Sequence, residues 1–336
     1  MKILVSGCAG FIGMHVCERL LQRGDRVVGV DDLNDYYDPS LKQARLARLV
    51  AQGGFSFVKL NLGERQATAS LFAASQPERV VHLAAQAGVR HSLHQPHSYA
   101  DSNLLAFLNV LEGCRHGRVG HLVYASSSSV YGGNTTLPYR EHDNVDHPLS
   151  LYAATKKANE LMAHSYSHLY GLPCSGLRLF TVYGPWGRPD MAYFHFSRDI
   201  LADQPIKVFN QGRMQRDFTY VDDAVEALVR VLDRPPEPDP AYDPAHPDAA
   251  RSAAPYRLLN VGNRQPVDLT AFIETLEQAL GKTAQKTFLP MQDGDVAATC
   301  ADTTALEALT GFAPHTPLAA GLRRFVSWYL PYYGHA

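Results

Sequence analysis

The feature that most restricts how this chain can fold is a turn near its start. Gly7-Cys8-Ala9-Gly10-Phe11-Ile12-Gly13 separates a short apolar run, Ile3 to Ser6, from an amphipathic stretch carrying Val16, Leu20 and Leu21. Strand, glycine turn and helix in that order make the phosphate cradle of a doubly wound sheet. Gly7 permits the tight turn, Gly10 lets backbone approach a pyrophosphate at the helix N-terminus, and Gly13 lets helix and strand pack closely. Gly7, Gly10, Phe11, Ile12 and Gly13 are therefore expected against a dinucleotide. A second run, Val27 to Val30, delivers Asp31 at a strand end 18 residues past Gly13. A carboxylate there accepts the adenosine ribose hydroxyls and repels a 2'-phosphate, which predicts NAD over NADP.

Short apolar runs keep alternating with helical patterns. Strands are expected at Phe55 to Leu60, Val80 to Ala84, His121 to Ser126 and Gly176 to Phe180, and helices at Ser102 to Arg115 and Leu151 to Tyr170. This predicts an α/β, Rossmann-type doubly wound parallel sheet with helices on both faces, and a smaller α/β substrate-binding domain at the C-terminal end. A length of 336 residues suits two domains. The expected division is an NAD-binding domain over 1–183, rejoined by segments near 217–233 and 256–268, and a mainly substrate-binding domain over 184–336. Within the latter, Arg234 to Tyr256 is dense in Pro, Ala and Asp and reads as a mobile surface loop unable to order itself by apolar burial.

Composition excludes several function classes. A formal charge of -2 offers no basic excess for a nucleic acid. No apolar stretch approaches the roughly 20 residues that span a bilayer, and the first strand starts too early for a signal peptide, so no membrane and a cytoplasmic location are expected. Five scattered cysteines without CxxC spacing read as reduced thiols. His91, His94 and His97 lie around Pro96 without accompanying ligands, so no metal is expected.

Tyr152 and Lys156 stand four apart in a helical stretch, hence on one face. They follow a strand ending in Ser126-Ser127-Ser128-Ser129, and strand C-termini are where a doubly wound sheet presents its chemistry. A phenol is a poor base at neutral pH unless nearby positive charge stabilises the phenolate, so Lys156 is expected to lower the pKa of Tyr152. A strand-end serine hydroxyl can share the substrate proton.

Several stretches run together into a pattern: S-G-C-A-G-F-I-G at the start, D-D-L-N-D-Y-Y-D from Asp31, H-L-A-A-Q-A-G-V-R from His82 and Y-A-S-S-S-S-V-Y-G from Tyr124. Y-A-A-T-K from Tyr152, R-L-F-T-V-Y-G-P-W-G-R-P-D-M from Arg178 and R-D-F-T-Y-V-D-D from Arg216 continue it. Over nearly its whole length the chain resembles the extended short-chain dehydrogenase/reductase family of nucleotide-sugar enzymes. The resemblance implies that Ser127, registered on Val130-Tyr131-Gly132, is the catalytic serine, with Tyr152 as base and Lys156 as helper. It implies further cofactor contacts at Asn61, Leu62, Leu83, Ala84 and Ala85. Arg216 would grip the diphosphate of a nucleotide, and Arg90 the same group or the sugar. The implied activity is NAD-dependent 4-epimerisation of a UDP-sugar through a 4-keto intermediate, with NAD retained. Ser128 and Ser129 stand where dehydrating or decarboxylating relatives carry acids, so elimination and decarboxylation lack their proton shuttle.

Hydroxyls of Ser127, Ser128 and Thr181 and the guanidinium of Arg188 suit a carboxylate, which favours UDP-glucuronate and UDP-galacturonate. UDP-glucose or a UDP-N-acetyl sugar is the alternative, and a non-catalytic NAD-binding sensor or scaffold a second. Two departures stand out: Asn61-Leu62 where the family often has Asp, and Asp293 where relatives commonly have Pro, predicting a freer loop. The family's habit of pairing the helices Ser102 to Arg115 and Leu151 to Tyr170 implies a homodimer.

Overall fold

Apolar runs that alternate between two buried faces pair in parallel, and seven of them build the central sheet of the computed structural model, which describes residues 1–292 and 294–335. Six are β1 (Lys2–Ser6), β2 (Arg26–Asp31), β3 (Phe55–Lys59), β4 (Arg79–His82), β5 (Leu122–Ser127) and β6 (Cys174–Leu179). The seventh, Tyr256–Val261, pairs with β6, giving the order Tyr256–Val261, β6, β5, β4, β1, β2, β3. Side chains two apart face the same way. Ile3, Val5, Val81 and Val123 accordingly enter one core, while Leu4, Val80, Leu122 and Tyr124 enter the other. Helices cover both: Met14 and Leu20 of α1 (Phe11–Gln22) lie in the first core, Phe107 and Val110 of Ala106–His116 in the second.

The chain winds outward from β1 to β3 and then returns to the other side of β1 to form β4. That reversal leaves a crevice at the strand C-termini, where Ser6 lies level with both Val30 and His82. Beyond β6, Thr181–Tyr183 joins a small sheet with Gln215–Tyr220 and Pro266–Asp268. The rings of Phe218 and Phe272 stack beneath it at 4.6 Å. The crevice thus lies between the large sheet's edge and this smaller layer.

Two differences from expectation have physical causes. The stretch Ser102 to Arg115 is not one regular helix: Ala100–Leu105 is wound as a π-helix before Ala106–His116 continues as α. Asn103 accounts for the bulge, its side chain accepting the N–H of Gln86 at 2.8 Å and donating to the hydroxyl of Thr155 at 3.0 Å. The stretch Arg234 to Tyr256 is irregular, but it carries local hydrogen bonds and one buried anchor. Asp239, Asp243 and Asp248 each accept a backbone N–H two residues on, at 2.8 to 2.9 Å, and Ala250 is buried in the second core. Asp293, the expected site of a freer loop, lies outside the described residues. All five cysteines carry free thiols. Among the described residues no helix is long and apolar enough to cross a membrane.

Candidate active site

The turn has no room for a side chain at its three glycines. Gly7 takes a φ of +71° and donates its N–H to Val30 O at 2.7 Å. A Cβ there would stand 2.7 Å from Ala84 N, and one on Gly13 would stand 2.0 Å from Gly7 O. The first N–H groups of α1, on Phe11, Ile12 and Gly13, have no intrahelical partner and line the crevice. These are the terms on which a helix N-terminus holds a pyrophosphate. Asp31 stands beside the turn and braces it, Oδ2 accepting Ala9 N–H at 3.1 Å and Oδ1 accepting Leu33 N–H at 2.9 Å. Burial pushes its pKa up, opposed by those two bonds and by the charge of Lys42. Leu83 and Ala84 direct their N–H groups to Ser6 Oγ, each at 3.2 Å.

The helix Leu151–Tyr170 starts where Ser150 caps Ala153 N–H at 3.1 Å, and Tyr152 and Lys156 then face the end of β5. Lys156 is buried and donates to Ala125 O at 2.8 Å. Burial pulls its pKa down to about 8. Tyr152 is partly buried, which raises its pKa; the Ser127 hydroxyl and the positive charge of Arg188 pull the other way. The Lys156 ammonium is bound to Ala125 O, and Arg188 adds a second cation whose charge favours the phenolate. The serine run divides as well. Ser126 turns its hydroxyl onto Glu160 at 2.7 Å, while Ser127 Oγ accepts Ser129 N–H at 3.1 Å and caps the turn Ser128–Tyr131.

On the far side, Arg188 is not the solvated loop residue that most arginines are. Its guanidinium makes two bonds to Asp190, at 3.1 and 2.9 Å. Arg90 pairs with Asp295 at 2.9 Å and lies over the ring of Phe209, 5.3 Å from its centre. Arg216 donates to Gln215 O at 2.8 Å, and burial lowers its pKa.

Every residue singled out in the sequence for cofactor, catalysis or substrate, from Gly7 to Arg216 and including Asn61, Leu62, Ala85, Ser128 and Thr181, lines one cavity of about 940 Å³. Asn61 departs in detail, since its side-chain oxygen already accepts Gly63 N–H at 2.8 Å and closes a turn. Sequence reasoning missed Asp190, Asp295, Phe209 and Arg45. Asp190 stood in the quoted R-P-D-M stretch, two residues from Arg188, which was signal enough to weigh it. Arg45 carried none: it is fully buried and donates to Ala9 O at 3.1 Å, Trp186 O at 2.7 Å and Gly187 O at 2.9 Å, tying the glycine turn to the loop that bears Arg188. Among the described residues no group of three or more His, Cys, Asp or Glu could hold a metal ion.

The NAD dependent epimerase/dehydratase family matches residues 3–243. The chain is 53% identical to Protein CapI of Staphylococcus aureus over 333 residues, covering 99% of each. It is 48% identical over 330 residues to a probable UDP-glucuronate 4-epimerase of Rhizobium meliloti, covering 98% of this chain and 97% of that one. Its fold is similar to the crystal structure of UDP-glucuronic acid 4-epimerase from Bacillus cereus in complex with UDP-glucuronic acid and NAD, with a TM-score of 0.87, 32% identity and 98% of both chains covered.

Proposed function

We propose that this chain, which belongs to the NAD dependent epimerase/dehydratase family, interconverts UDP-glucuronate and UDP-galacturonate by inverting C4, with NAD retained through the cycle. One observation carries the reading: the dinucleotide cradle, Tyr152 with Lys156 and Ser127, and the carboxylate-suited group Thr181 and Arg188 open into one cavity, and serines stand at 128 and 129. NAD fits the residues present, because Gly7, Gly10 and Gly13 leave no room for a Cβ, the first N–H groups of α1 are free and Asp31 lines the same cavity at the end of β2.

When bound, NAD supplies the hydride acceptor and donor at C4. The chain's own residues then handle protons and position. Tyr152 as phenolate takes the proton of the C4 hydroxyl and returns it in the second half of the cycle. Ser127 donates to the same sugar oxygen and steadies it as the carbonyl forms. Lys156, anchored on Ala125 O, holds the site's geometry and its positive charge near the phenol. Between the two halves the 4-keto sugar rotates to present its other face. A 4-keto uronate loses CO2 when its carboxylate bond aligns with the carbonyl π system. Hydroxyls of Ser127, Ser128 and Thr181 together with Arg188 hold the carboxylate out of that alignment. Arg216 and Arg90 meet the diphosphate end. In this reading residues 1–183, with the segments near 217–233 and 256–268, carry the dinucleotide, and the rest of 184–336 carries the UDP-sugar.

The proposal extends to a cytoplasmic homodimer paired through the helix Leu151–Tyr170, which exposes Leu161, Leu169 and Tyr170. Sedimentation of the pure protein at twice the chain mass is the expected result. Activity is tested by incubating pure protein with UDP-glucuronate and no added cofactor. UDP-galacturonate should form with the C4 hydrogen retained, and Tyr152→Phe should slow it by at least ~100-fold while NAD stays bound. Turnover confined to UDP-glucose or UDP-N-acetylglucosamine would move the assignment to a neutral sugar.

A further inference from the structure

Arg188 meets a counter-ion within its own loop. Nε donates to Asp190 Oδ1 at 3.1 Å and Nη2 to Oδ2 at 2.9 Å, and the Tyr36 hydroxyl donates to the same Oδ2 at 3.2 Å. The two charged side chains are only 27% and 24% exposed, and both line the cavity with Tyr152. Asp190 is therefore oriented from two directions, by its neighbour in the loop and by a tyrosine that follows β2. With Nε and Nη2 forked onto Asp190 and the other Nη2 hydrogen directed at Met191 Sδ, 3.6 Å away, Arg188 has its Nη1 left for a second partner, and the pair carries no net charge.

This arrangement bears on the rotation that C4 inversion requires. A sugar carboxylate held by an unpaired arginine through two parallel charge-assisted bonds would be tethered just where the 4-keto sugar has to turn. We propose that Asp190 is a positioning residue that neutralises Arg188 and presents only its outer edge, so that a substrate carboxylate at C6 is held weakly enough to turn and firmly enough to stay out of the decarboxylating alignment. The inference rests on the uronate reading above and concerns a residue that reading does not use.

The test is a pair of ligands on three proteins. UDP-glucuronate and UDP-glucose are titrated into the NAD-bound wild type, Asp190→Asn and Asp190→Glu, and kcat and KM are measured with UDP-glucuronate. In Asp190→Asn, a near-isostere, the affinity ratio should shift toward UDP-glucuronate by about 10-fold, the scale of one added charge-assisted bond. Its kcat on UDP-glucuronate should fall by a similar factor. Asp190→Glu should recover most of both. UDP-glucose has no charge at C6, so general damage to the fold would weaken both ligands together. Parallel changes for the two, or selective weakening of UDP-glucuronate, overturn the role given to Asp190. If the wild type itself neither binds nor turns over UDP-glucuronate, the uronate reading falls first and this inference with it.

Discussion

A methyl group at Gly13 has nowhere to go. Its carbon would lie 2.0 Å from Gly7 O, inside the backbone of the turn itself, so no rotamer change relieves the clash. Gly13→Ala should push α1 away from the turn and cost about 1–3 kcal/mol, as overpacking does. The expected outcome is a lower NAD content in the purified protein, read from absorbance after acid release, together with a thermal midpoint several degrees lower. An unchanged NAD content would remove the cradle's steric role. This residue was legible in the sequence because its neighbours, the strand before and the helix after, are local. The same holds for Tyr152 and Lys156, whose shared face follows from helical spacing alone. That Arg188 also acts on the phenol was not legible, since it reaches it from a loop beyond β6.

At the scale of elements, the helix Leu151–Tyr170 is pinned to the sheet by one buried ion pair. Glu160, two turns beyond Tyr152, accepts Arg178 Nε at 2.8 Å and Nη2 at 2.9 Å and also holds the hydroxyl of Ser126. Both charged side chains are 1% exposed or less. Removing one charge strands the other in a medium that solvates it poorly. Glu160→Gln should therefore lower unfolding free energy by about 3 kcal/mol, measured by urea denaturation. Replacing both partners, as in Glu160→Leu with Arg178→Met, should recover much of the loss. A single substitution with no effect would mean that water reaches the pair. The ends of this helix coincide with the expectation, and the signals are local ones: Ser150 caps its start, and Gly171 with a φ of +64° ends it. The π-helix at Ala100–Leu105 had no such signal, because Asn103 is drawn by partners on Gln86 and Thr155 that are distant in sequence.

At the scale of the whole molecule, packing holds two histidines neutral. His82 bonds Ser6 Oγ at 2.8 Å, and His121 lies between Leu232 O at 3.0 Å and Ser175 Oγ at 2.9 Å. Burial pulls both to a pKa of about 3, with the charge of Lys156 adding to the effect on His82. An unfolded histidine titrates near ~6.5, so between that pH and about 3 the unfolded chain binds the extra protons and stability falls as pH falls. Buried Asp31, Asp217 and Glu141, with pKa values raised by burial, act in the opposite direction lower in that window. The histidine effect is therefore read as a difference. His121→Asn should remove about 1.4 kcal/mol per pH unit from the acid slope of urea stability. Equal slopes for variant and wild type would contradict it.

By itself the sequence determined the sheet's parallel class, the cradle, the Asp31 carboxylate and the Tyr152/Lys156 face. Each is encoded by spacing within one strand, turn or helix, and local sterics and hydrophobic period act over that range. Only the tertiary structure decided that Arg45 joins the glycine turn to the substrate loop, that Lys156 binds Ala125 and that Tyr36 braces Asp190. Such contacts link residues like Tyr36 and Asp190, 154 positions apart. Side-chain pairing at that separation depends on which surfaces the folded layers bring together, and it leaves no period in the chain.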